Sequence, residues 1–236
     1  AHQVAFDLSA KAEIAPRTYF EVVLTAQRFV FGELEREGNA TDPALVLPDN
    51  PLLFKPRLRY TWWNLSNDAG WGDRHRLFPR VRGLAAGAEL GIDIRSNNTP
   101  WGARDPVAFT TVDLRNAPDK GAVAGTLWFK GGWQIANWVR TQLQGSATIG
   151  TGQDDLTRDR IGGMSPYSVT LPGAPWASWL SSRYVADAWS WHLKAADGLE
   201  VGPIVGAVLL ADPDRLAEQS ETALLWGAGM LVDWRI

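Results

Sequence analysis

The sequence predicts an all-β fold: a closed antiparallel up-and-down transmembrane β-barrel of about ten strands, within a range of about eight to twelve. Three observations predict it. Apolar and polar residues alternate with a period of two over stretches of about ten to fourteen residues, whereas a soluble strand usually has about five or six and a tilted membrane strand needs about nine to eleven. The connections are uneven, with long loops rich in Gly, Pro, Asn and Asp beside tight turns. The 236 residues include 13 Trp, about four times an ordinary frequency. These gather with Tyr near strand ends, where an indole suits a membrane interface because its body is apolar and its edge donates a hydrogen bond.

In chain order, Phe6, Leu8, Ala10, Ala12 and Ile14 alternate with Asp7, Ser9, Lys11 and Glu13, so one face is apolar and the other charged. Phe20, Val22, Leu24 and Ala26 repeat the pattern against Glu21, Thr25 and Gln27, as do Leu58, Tyr60 and Trp62 against Arg57, Arg59 and Thr61. Over 84–95 the apolar Leu84, Leu90, Ile92 and Ile94 oppose Glu89, Asp93 and Arg95. Segments 107–115, 122–134, 138–149, 179–193, 199–210 and 222–236 read the same way. Loops at 32–51, 64–79, 96–106, 116–121, 150–175 and 211–221 separate them, while the connections near 135–137 and 195–198 are tight. The segment 32–51 is long where a short turn is expected. Helical periodicity is confined to 214–221, and residues 1–236 read as one barrel domain without internal repeats.

The 45% hydrophobic and 21% charged content excludes a disordered chain. A net charge of −3 with no basic stripe removes nucleic acid as an expected partner. The absence of cysteine excludes disulfides, thiolate metal sites and cysteine catalysis. The longest apolar run, 201–211, is about half of what a membrane-crossing helix requires. Ala1-His2-Gln3 is the kind of opening that remains after cleavage at a small-residue site, so export with the signal peptide already removed is the expectation.

Gly229, Val232 and Trp234, with apolar residues at every second position to Ile236, resemble the C-terminal insertion signal of outer-membrane barrels. More specifically, residues 83–236 resemble the barrel of the bacterial surface-antigen family, the BamA and TamA type. The strand 83–94 runs into Asp93-Ile94-Arg95-Ser96-Asn97-Asn98, and Ile161-Gly162-Gly163 opens a long loop. The pair Tyr184–Leu193 and Val201–Asp212 follows, and Ala228-Gly229-Met230 lies in the closing strand. The resemblance implies a barrel in the outer membrane of a Gram-negative cell envelope. The family's Arg-Gly-aromatic loop apex is missing, with Pro166-Tyr167 and Pro172-Gly173 in its place. Its strand number of about sixteen also exceeds the ten or so expected here, so assembly or secretion activity does not carry over.

In a barrel the charged face looks inward. The expected lumen-facing residues are Glu13, Glu21, Arg57, Arg59, Glu89, Asp93, Arg95, Asp113, Arg140 and Asp233. Their mixed signs point to an ion-pair network ahead of a selective pore. Trp62, Trp138, Trp189, Trp226 and Trp234 are the expected membrane-interface residues. One catalytic alternative is visible: Ser190 and His192 in one strand with Asp187 nearby, the residue types of a Ser–His–acid hydrolase of membrane lipid. A histidine at a strand end near the interface is the commoner meaning of His192. The mixed-charge segment around His75 reads as a solvated loop that could meet lipopolysaccharide phosphates.

Asp154, Asp155 and Asp159 lack EF-hand spacing, and the glycines of 83–91 lack a following Lys-Ser/Thr, so neither a metal nor a cofactor is expected. The expected function is a narrow pore or transport element, or a structural component of an envelope assembly. Its partners would be outer-membrane lipid, lipopolysaccharide and other envelope proteins. The alternatives are an outer-membrane lipid hydrolase and a soluble carbohydrate-binding β-sandwich.

Overall fold

The computed structural model describes residues 2–30, 45–46, 49–67, 81–99, 102–103, 119–153, 157, 159–161, 169, 171–172, 179–211 and 222–234. The chain is all-β in these residues. The long strands are β1 His2–Ala15, β2 Thr18–Val30, β4 Leu52–Asn67, β5 Val81–Arg95, β7 Gly121–Ala136, β8 Val139–Thr151, β11 Arg183–Ala196, β12 Leu199–Ala211 and β13 Thr222–Trp234. Four short strands, β3 Leu45–Val46, β6 Gly102–Ala103, β9 Asp159–Ile161 and β10 Trp179–Ser181, form two small ladders, β3 with β6 and β9 with β10.

The nine long strands make one sheet in chain order, β1-β2-β4-β5-β7-β8-β11-β12-β13, and every neighbouring pair is antiparallel. This is the expected antiparallel up-and-down meander, with nine long strands among the described residues where about ten are expected. The sheet is not closed: β1 and β13 are its two edges. Strand lengths of 13 to 16 residues are well above those of ordinary soluble sheets.

Three connections are two-residue turns, at 16–17, 137–138 and 197–198, and all lie at one end of the sheet. The turn at 16–17 was not legible as a turn. It takes the unusual left-handed conformation at Arg17, φ 65°, with the Arg17 N–H donating to Glu13 Oε1 at 2.9 Å. Because that turn is tight, the long connection 31–51 falls at the opposite end together with those at 96–120, 152–182 and 212–221. The segment that breaks the expected rule is therefore 68–80, on the tight-turn end.

Two expected strands changed. The segment 57–62 extends to Leu52–Asn67, across Pro56. Proline has no N–H to give the ladder, and the β4–β5 register skips Lys55 and Pro56. The Ile92 carbonyl, opposite Pro56, is served instead by Arg57 Nη1 at 2.7 Å. The segment 179–193 is two strands, because the Ser181 hydroxyl donates to Arg183 O at 2.7 Å and accepts from the Arg183 N–H at 3.2 Å, a local bonding pattern that competes with the ladder. The expected strand 107–115 lies outside the described residues.

Cross-strand pairing puts the two faces in register. One face carries Phe6, Phe20, Tyr60, Leu90, Leu127, Val185, Leu209, Trp226 and Met230, all exposed. The other carries most of the charges, while Arg28, Arg82, Arg183 and Asp187 lie on the apolar face by register.

Candidate functional site

The charged face is built by register. Glu21 lies opposite Arg59 in β4, and Arg59 opposite Glu89 in β5. Side chains directly opposite on one face stand about 4.5–5.5 Å apart at Cβ, which is close enough for their charged ends to meet. Arg59 Nε reaches Glu89 Oε2 at 2.5 Å, and its Nη1 lies 3.6 Å from Glu21 Oε2. Arg57 Nε lies 3.6 Å from Glu89 Oε1, and its other end pairs with Asp93. Gly91 makes room for this: a Cβ there would lie 2.5 Å from Arg57 Cδ. The result is one chain of alternating sign, Glu21–Arg59–Glu89–Arg57–Asp93, crossing three strands. Asp93 is 3% exposed, so its charge depends on that pairing.

A second cluster sits at the tight-turn end. Arg140 of β8 pairs across β11 with Glu200 of β12. His192 Nδ1 lies 3.8 Å from Glu200 Oε2, and its Nε2 is 3.2 Å from Ser190 Oγ. A polar cavity of about 160 Å3 is bordered by Gln134, Trp138, Arg140, His192, Lys194 and Glu200.

Beyond these clusters the same face turns apolar. Tyr184, Ala186, Ala188, Val208 and Leu210 pack with Val169 and Leu171 from the connection 152–182. Leu171 approaches Gly206, where an added Cβ would be 3.2 Å from Leu171 Cδ2. At Gly227 a Cβ would stand 2.0 Å from the Pro172 carbonyl oxygen, so only glycine lets this strap lie flat on β13. Val169, Leu171 and Pro172 thus bring described residues of the connection 152–182 against this face.

Of the ten residues expected to face a lumen, Glu13, Glu21, Arg57, Arg59, Glu89, Asp93, Arg95, Arg140 and Asp233 share this face by register. Asp113 lies outside the described residues. Glu200 was missed: its strand is apolar on both faces elsewhere, and only its even-numbered position, in phase with Ile204 and Val208, marked it. The imagined triad is corrected at its acid. Asp187 has the opposite strand parity to Ser190 and His192 and is exposed on the apolar face, so it cannot orient His192. Glu200 holds that position, but its carboxylate is held by Arg140, and Ser190, 5% exposed, is not among the described residues bordering the cavity.

Trp62, Trp138 and Trp234 lie at the tight-turn end, while Trp189 and Trp226 sit within their strands. Trp189 Nε1 donates to Thr141 Oγ1 at 2.5 Å. Trp63 and Trp128 are on the charged face instead, with ring centroids 6.4 Å apart in an edge-on contact. Among the described residues no group of three or more His, Cys, Asp or Glu could hold a metal ion.

On the apolar face, Phe20, Leu58, Tyr60, Leu127, Val185 and Leu209 border one open cavity of about 600 Å3. No protein-family model matches the chain, and no curated protein matches it. The resemblance to surface-antigen barrels therefore rests on the residues quoted for it.

Proposed function

We propose that the chain forms the wall of an outer-membrane β-barrel in a Gram-negative envelope and acts as a structural component of an envelope assembly, ahead of an open pore. The observation that carries this reading is the division of labour between the two faces of unusually long strands. The apolar face leaves large side chains bare, with Trp226 76% exposed, whereas the opposite face pairs its charges from Glu21 to Asp93 and Arg140 with Glu200 and covers its apolar third with its own strap. Exposed apolar area on this scale marks contact with lipid or protein. Bilayer spanning by strands also demands closure, which the nine strands leave to be completed.

The partners on this reading are outer-membrane lipid and lipopolysaccharide outside and other envelope proteins at the loops. The packed polar face argues against bulk flow. Reconstitution into vesicles carrying brominated acyl chains is expected to quench tryptophan fluorescence, and planar-bilayer recording is expected to give no unitary current. A steady unitary conductance would instead establish the narrow-pore form.

The cavity of about 600 Å3 favours a second reading, in which the apolar face curls around the acyl chain of a single lipid. That reading expects one tightly held lipid per chain in plain buffer, without detergent. The almost wholly apolar lining fits a sugar ligand poorly.

A further inference from the structure

Between the ion-pair chain of β2 to β5 and the strap-covered third of β11 to β13, the charged face carries a patch of a third kind. On β7 and β8 its successive rungs are Trp128 opposite Ser146, Lys130 opposite Gln144 and Gly132 opposite Gln142. Three of these residues hold polar atoms that nothing bonds. Gln142 and Ser146 are 8% and 4% exposed, and Gln142 Nε2 and Ser146 Oγ have no hydrogen-bond partner. Lys130 is partly buried and makes no ion pair or hydrogen bond among the described residues.

Buried donors of this kind cost free energy until an acceptor meets them, and an ammonium drawn out of bulk water calls for an opposite charge. The neighbouring strands supply none. Segments 83–87, 128–134 and 142–148 contain no Asp or Glu. Glu89, opposite Thr126, is two rungs from Lys130, about 14 Å along the strand, and is engaged by Arg57 and Arg59. Glu200 is held by Arg140.

The same rungs keep their floor clear. Gly132 puts no side chain beside Gln142, and Ala85 and Ala188 flank Lys130 and Gln144. The Trp128 indole lies over Gly87, where a Cβ would be 2.6 Å from its ring, so it leans toward β5 and away from Ser146. Lys130 stands on the diagonal to both Gln142 and Ser146, a separation of about 7–8 Å that one small ion between long side chains can bridge.

We propose that Lys130, Gln142 and Ser146 form an internal binding site for one small tetrahedral oxyanion of the phosphate type. An ammonium, an amide nitrogen and a hydroxyl are three separate donor atoms. Arriving from three directions, they match the several oxygens of a phosphate better than the two of a carboxylate. Entry is past Lys130 and Gln144, the partly buried side chains of the patch. The site is on the face opposite Trp226, so it stands or falls independently of what the apolar face meets.

The test uses the full chain refolded into detergent micelles in phosphate-free buffer and titrated calorimetrically with inorganic phosphate, sodium chloride holding the ionic strength constant. One saturable site per chain is expected, with acetate about tenfold weaker or more. Lys130→Gln, Gln142→Leu and Ser146→Ala are each expected to weaken phosphate about tenfold or more. Lys11→Gln, on the same face beside Glu21, leaves the affinity unchanged. The Gln142 side-chain amide signals in nitrogen-15 spectra move with phosphate occupancy. Gln142→Leu also changes sign: it is more stable than the parent without phosphate, where it removes an unpartnered donor, and less stable at saturating phosphate.

No saturable heat overturns the proposal, as does acetate binding as tightly as phosphate. Phosphate affinity lost in Lys194→Gln but kept in Lys130→Gln places the ion in the polar cavity at the tight-turn end and also overturns it. If Lys130→Gln does not fold, Ser146→Ala, which removes a single oxygen, decides: unchanged affinity there overturns the proposal.

Discussion

The first half of the charged face and its last third satisfy the same structural demand by opposite means. Across β2, β4 and β5, side chains of one register parity are Glu21, Arg59, Glu89, Arg57 and Asp93, linked end to end by ion pairs. Across β11, β12 and β13, the same face carries Tyr184, Ala186, Val208, Leu210 and Leu225, covered by Val169 and Leu171. Alternation alone does not say what a face meets. It says that the two sides differ, and the side opposite an exposed apolar one can be finished either with charge that cancels itself or with a segment of the chain's own loop.

Four single substitutions and one double variant sharpen that contrast, read as shifts of the unfolding free energy in detergent. The largest effect is expected for Arg57→Ala. It strands the buried Asp93 carboxylate and uncovers the Ile92 carbonyl, so the loss is about 3–5 kcal/mol. Arg57→Met in combination with Asp93→Leu should recover most of it, because the penalty lies in the unpaired charge. Leu171→Ala, at 5% exposure, should cost about 2–4 kcal/mol through the cavity it leaves. It should also open the connection 152–182 to limited proteolysis, and an unchanged cleavage pattern would mean the strap does not anchor that segment.

Gln142→Leu should raise stability by about 1 kcal/mol. Gln142 Nε2 is buried with no hydrogen-bond partner, and removing such a group relieves a desolvation cost.

The smallest effect belongs to Asp197→Asn. Lys194 Nζ lies 2.5 Å from Asp197 Oδ1, and this hydrogen bond and charge hold the Asp197 carboxyl below its ordinary range. A carboxyl lowered in the folded state stabilises above its unfolded value and loses that contribution as pH falls through the folded one. Because Asp197 is fully exposed and its pair with the half-exposed Lys194 is screened, the substitution should leave Tm unresolved from the parent at pH 7, and a clear shift would mean the turn is more buried than its geometry indicates.

Much of this was legible from the chain. The period of two placed Glu21, Arg57, Glu89 and Asp93 on one face because strand geometry leaves no other arrangement, and the register that joins neighbours follows from the same alternation. What was not legible depends on contacts between distant residues. Glu200 was hidden in a strand apolar on both faces, and its partner Arg140 is 60 residues away. Asp187 looked like a partner of His192 by proximity in sequence, but an odd separation within a strand sends two side chains to opposite faces. The turn at 16–17 was hidden because Arg17, without glycine's freedom, takes a left-handed conformation that its residue type does not announce. Pro56 and Pro51 made a 16-residue strand look short, since nothing in the sequence reveals that an arginine side chain will mend the ladder.

That repair ties one seam of the sheet to its side chains. Most other rungs between strands are amide to carbonyl, although Arg183 Nε also reaches the Gly150 carbonyl between β11 and β8 at 3.4 Å. At Ile92 the rung is a guanidinium that also answers to Glu89 and Asp93. The crosspiece and the charge chain therefore share one arginine, so a change at Arg57 loosens both together at the joint between β4 and β5.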